Sequence, residues 1–135
     1  LGTAAALLCA TLGPVAGLGL RNPPILPQVV RGRFGWKTLW IGAAFVAAQI
    51  PWELDALRLA RRVAAPAVFL SARRDRIVPA IYQDRLFDAY AGPKKMLRWE
   101  GADHADRLND KQAEALATLY REMFPAIAAL QPPGA

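Results

Sequence analysis

Apolar residues along this chain come in short blocks, cut apart by proline and glycine, and the blocks change period. Thr3 to Leu12 is rich in Ala and Leu and free of breakers, which predicts a helix; it is apolar nearly all round, so burial is expected. Gly13-Pro14 ends it, and Val15 to Leu20 is a short apolar run that predicts a buried strand. Arg21-Asn22-Pro23-Pro24 stops that strand, because prolines cannot join a ladder. Residues 25–37 hold Pro27, Gly32 and Gly35 and read as irregular; 38–49 read as a helix ended by Pro51; Glu53 to Val63 reads as one amphipathic stretch. Ala64-Ala65-Pro66 connects to a second strand, Ala67 to Ser71, and Ala72 to Pro79 is a polar loop. Ala80 to Tyr90 reads as a helix with Ile81, Leu86, Phe87 and Tyr90 on one side. Lys95 to Trp99 reads as a third strand, Gly101 to Asp106 as a loop, and Asp110 to Phe124 as a long amphipathic helix. Asn109 or Asp110 is its candidate N-cap, with Gln112 or Glu114 near the third position; residues 126–135 are expected to fray.

Strands alternating with helices predict a parallel, doubly wound α/β sheet. Ligands in such sheets bind at the carboxyl ends of the strands. Two loops there carry chemistry. Asp75 follows the second strand and His104 the third, 29 residues apart with one helix between them, so the loops are expected to be neighbours. A carboxylate facing an imidazole can fix the ring's tautomer and stabilise its charged form. The residues alone leave alternatives open: Asp75 as a turn cap or an arginine partner, His104 as a loop histidine bonded to backbone. Asp103 and Asp106 flank the ring and compete with Asp75.

Composition narrows the chemistry. There are 17 Lys+Arg and 11 Asp+Glu, a net charge of +6, but the arginines are scattered and lack interleaved aromatics or a helix-turn-helix spacing. Nucleic-acid binding is therefore not expected. One Cys and one His exclude a disulfide framework within the chain and any site needing two histidines, and no metal site is expected. The run from 3 to 20 is broken by Gly13-Pro14, and 38–51 is shorter than the roughly 20 residues a bilayer span needs. Contact of residues 36–52 with a membrane surface is less favoured than a buried or lid helix. Localisation stays open, with the cytoplasm slightly favoured.

Two segments carry a resemblance. Ala65 to Pro79, APAVFLSARRDRIVP, resembles the strand and loop that bear the triad acid in α/β-hydrolase fold proteins. Lys95 to Leu108, KMLRWEGADHADRL, resembles their last strand and triad histidine, in the form Gly-Ala-x-His-x-Asp. The resemblance implies Asp75 as triad acid and His104 as general base, with a supporting role for Asp106 as a further implication. The family's nucleophile sits in a Gly-x-Ser-x-Gly elbow, and this chain has none. Leu1-Gly2-Thr3 before an Ala-rich helix resembles the end of one, so the expected nucleophile is a serine immediately before Leu1, with the backbone N–H of Leu1 as an oxyanion donor. The one serine, Ser71, lies at a strand end in the acid segment, not in an elbow, and Cys9 reads as a buried helix residue; neither is expected to be the nucleophile.

The fold so implied is α/β: the C-terminal half of a doubly wound, mainly parallel α/β-hydrolase sheet of about three strands, with residues 25–63 as a helical cap insert. Trp36, Trp40, Phe45 and Trp52 would line that cap or serve as plain packing. The function implied is cleavage of a small-molecule ester, thioester or amide by a Ser-His-Asp triad, with no metal or organic cofactor; the 135 residues alone are expected to be inactive. The alternative is a non-catalytic module that keeps the fold and uses the cap as an apolar binding surface. Oligomeric state stays open.

Overall fold

The computed structural model describes residues 2–34, 48–49 and 51–125. Its centre is β2, Ala67–Ala72, buried along its whole length. β1, Leu18–Arg21, and β3, Lys94–Trp99, flank it, and both pair with it in parallel, Leu18 opposite Ala67 and Ala67 opposite Lys94. A central parallel strand is covered on both faces, which is why AVFLSA carries no charge.

The two faces of β2 sort the helices. Ala67 and Phe69 face a cluster with Leu7 of α1 (Gly2–Leu12), Ala56, Leu59 and Ala60 of α3 (Ala56–Ala60), and Leu86 of α4 (Ala80–Ala89), joined by Tyr90 just beyond α4. Phe69 meets Phe87 and Tyr90 edge-on, with centroids 5.2 and 5.5 Å apart. Leu70 and Ala72 point the other way, to Trp99, Ala102 and Leu116 of α5 (Asp110–Met123). The start of α5 is the capping box expected of Asn109: its side chain accepts from the Gln112 N–H and the Gln112 side chain accepts from its own, both at 2.9 Å.

Several expectations need correction. Residues 25–37 do not run irregularly throughout: Leu26–Phe34 forms α2. Pro27 falls in its first turn, where a missing N–H costs nothing. The amphipathic stretch from Glu53 to Val63 is divided between the end of a 3₁₀ turn, Trp52–Leu54, and α3, because Asp55 restarts the helix as its N-cap, accepting from the Leu57 and Arg58 N–H groups at 2.9 and 3.3 Å. The first strand starts at Leu18 rather than Val15. α1 buries only one stripe, Ala4 and Leu7, and leaves Leu12 and Cys9 exposed, so Cys9 is not the buried residue expected; α3 and the 3₁₀ turn before it pack against that stripe. Ile81 is also exposed, its place in the α4 interface taken by Gln83. No helix among the described residues is long and apolar enough to cross a membrane.

Candidate active site

The carboxyl ends of the three strands converge on one edge, and backbone hydrogen bonds continue the sheet beyond its formal limits. The Arg73 N–H donates to Trp99 O at 3.1 Å and the Arg74 N–H to Ala102 O at 2.9 Å, so the loop after β2 is zipped to the loop after β3. Asp75 stands at the end of that zipper. Its Oδ1 accepts from the Ile77 and Val78 N–H groups, both at 2.7 Å, a tight turn that runs into Pro79 and the first residue of α4. With Oδ1 held, Oδ2 faces the histidine loop, and His104 Nδ1 lies 2.7 Å from it. The carboxylate is fully buried while the ring is about one third exposed.

The neighbouring charges have other partners, and Asp75 is the carboxylate within hydrogen-bond distance of the His104 ring among the described residues. Arg73 makes two 2.9 Å hydrogen bonds to Asp84. Asp103 turns away from the imidazole: its Oδ1 accepts from the backbone N–H groups of His104 and Arg76, at 2.7 and 3.1 Å, and its Oδ2 pairs with the Arg76 guanidinium at 3.7 Å. Those hydrogen bonds, His104's foremost, hold the Asp103 carboxyl below the usual carboxylate range. Asp106 does not cap the following turn. Its Oδ2 accepts from the Asp103 N–H at 2.8 Å and closes the turn that bears His104. Gly101 enters this loop with φ +80°, a conformation that favours glycine.

Two supporting residues escaped the sequence reading. Asn22, just beyond β1, is buried with φ +43°. Its Oδ1 accepts from the Ala72 N–H at 2.9 Å and its Nδ2 donates to His104 O at 3.2 Å, so one side chain ties together the ends of all three strands. In Arg21-Asn22-Pro23-Pro24 it looks like a turn residue; the only hint is that Asn tolerates the left-handed region. Gln83, fully buried on α4, donates to Val78 O at 2.7 Å and lies 3.5 Å from Asp75 Oδ2, bracing the acid turn from behind. A polar residue in a helix reads as solvent-facing, and nothing in the sequence marks this one.

Of the remaining candidates, Ser71 is buried within β2, and its hydroxyl has no hydrogen-bond partner among the described residues. Leu1, Trp36, Trp40 and Phe45 lie outside the described residues. Trp52 is exposed, with the Arg58 guanidinium 4.3 Å from its ring centroid. No cluster of three or more metal-ligating side chains occurs among the described residues.

A three-stranded parallel sheet flanked by helices, read with the solved structures it superposes on, is part of an α/β-hydrolase fold. The chain is similar to puromycin hydrolase (TM-score 0.71, 23% identity, 99% of this chain and 22% of that one) and to an acetyl xylan esterase from Paenibacillus sp. R4 (TM-score 0.65, 15% identity, 90% and 42%). It is also similar to Est1E from Butyrivibrio proteoclasticus (TM-score 0.63, 14% identity, 93% and 58%), so it spans less than two thirds of each of these proteins. No family model and no curated protein matches the chain.

Proposed function

We propose that this chain supplies the acid and the base of a serine hydrolase that cleaves a small ester, thioester or amide through an acyl-enzyme. One observation carries the reading: a buried carboxylate and a partly exposed imidazole, 2.7 Å apart, on loops after adjacent parallel strands. The names of two of the similar structures, an acetyl xylan esterase and a puromycin hydrolase, support it.

A serine hydroxyl preceding Leu1 attacks the substrate carbonyl. His104 takes its proton on Nε2, the nitrogen turned from Asp75, and then returns it to the departing alcohol, thiol or amine. Asp75 keeps the ring in the tautomer whose Nε2 lone pair is free and offsets the positive charge the ring gains. The Leu1 N–H would donate to the oxyanion, and residues 25–63 would cover the site as a cap. Water, deprotonated by the same Nε2, then attacks the acyl group, and the proton returns to the serine oxygen as the acid departs; these steps need no metal or cofactor.

The test is covalent. The protein translated from the whole reading frame that contains residues 1–135 is treated with a serine-reactive fluorophosphonate. Labelling of a serine immediately before Leu1, lost in His104→Ala, is the expected result. A frame with no serine there, or a protein that resists labelling, would remove the reading.

A further inference from the structure

Two helices in contact normally meet through interlocking apolar side chains. α2 and the start of α4 do not. Between them lie two cavities of about 250 and 240 Å³ that share Gly32 and Tyr82 in their walls. Gly32 leaves the space open: a Cβ there would stand 2.7 Å from the Tyr82 hydroxyl.

Three arginines stand in walls that are otherwise largely apolar. Arg31 and Arg85 line the first cavity, and Arg76, the residue after Asp75, lines the second; among the described residues lining either, none is acidic. Arg85 is oriented, since it donates to Gln28 Oε1 at 3.1 Å and its guanidinium carbon lies 6.0 Å from the Tyr82 ring centroid. Arg76 also pairs with Asp103, at 3.7 Å. Three guanidinium groups around one cleft with no carboxylate in its described lining favour an anion over a neutral ligand, since a carboxylate or phosphate accepts from several donors at once. Val29 and Ile77 add an apolar wall for a short hydrocarbon part.

We infer that the cleft between α2 and α4 binds the anionic group, a carboxylate or a phosphate, of a small molecule. The cleft abuts the loop that carries Asp75, so the ligand's identity as the substrate's anionic end rests on the hydrolase reading. Its binding does not.

The test therefore reads binding alone. The ¹⁵N-labelled product of the whole reading frame is titrated at constant ionic strength with inorganic phosphate, with succinate and with uncharged succinamide, following the Gly32 amide and the Arg85 Nε–H. Saturable shifts with phosphate or succinate and none with succinamide are expected; the anion that binds more tightly identifies the chemistry. Arg31→Gln and Arg85→Gln should each weaken binding about fivefold or more with unchanged spectral dispersion, and Gly32→Ala, whose methyl crowds the Tyr82 hydroxyl, should weaken it as well. Shifts that fail to saturate, an equal response to succinamide, or Gln variants that bind as well as the parent would overturn the proposal. Loss of fluorophosphonate labelling with binding intact would remove the hydrolase reading and leave the anion site standing.

Discussion

His104 Nδ1 sits 2.7 Å from Asp75 Oδ2, although the ring is 36% exposed and the carboxylate not at all. A carboxylate so placed accepts, so in its neutral form the imidazole carries its proton on Nδ1. Because His104 is the chain's one histidine, its ring nitrogens give an unambiguous ¹⁵N spectrum. The expected spectrum of the neutral ring shows a protonated Nδ1 and a bare Nε2, with the bias lost in Asp75→Leu. A bare Nδ1 in the parent chain would contradict the pairing.

Asn22→Ala should destabilise the fold by about 2–4 kcal/mol in urea unfolding, since it removes two side-chain hydrogen bonds, leaves a buried Ala72 N–H unpaired and keeps a residue with a Cβ in the left-handed region. Asn22→Gly loses the same bonds without the backbone strain and should cost about 1 kcal/mol less. Equal stability of Asn22→Ala and the parent would show that the three strand ends do not depend on this side chain.

The pair was legible because it stands on the two most regular features of the chain, apolar strands followed by polar loops, in a known family order. Asn22 and Gln83 were not, since each acts through partners remote in sequence: Asn22 reaches Ala72 and His104, and the burial of Gln83 depends on the turn at Asp75. α2 was missed because Pro27 and Gly32 read as breakers, and whether they break depends on where they fall. Pro27 in the first turn is harmless, and Gly32 makes room for Tyr82. α1 looked buried because its composition is apolar all round, but burial is set by what packs on each side, and one stripe is what the described elements cover.

Tyr90 should shape the alkaline limit. Burial pushes its phenol up from 10.0 to about 12, and its hydroxyl donates to Ala65 O at 2.7 Å. A raised native value means the folded state holds its proton after the unfolded chain has lost it. The stabilisation is complete below pH 10 and is lost as the pH rises from 10 towards 12, on the order of 2 kcal/mol. Tyr90→Phe should start about 1 kcal/mol less stable at neutral pH, for the lost hydrogen bond, and decline less steeply across that window. An identical slope for both proteins would contradict this role.

The acid–base pairing at the strand ends is tested most directly by kinetics on the full reading-frame product with p-nitrophenyl acetate. His104→Ala and Asp75→Asn are each predicted to lower kcat by about 10³-fold or more, with unfolding midpoints showing both variants folded. Turnover unchanged in either folded variant would contradict the account.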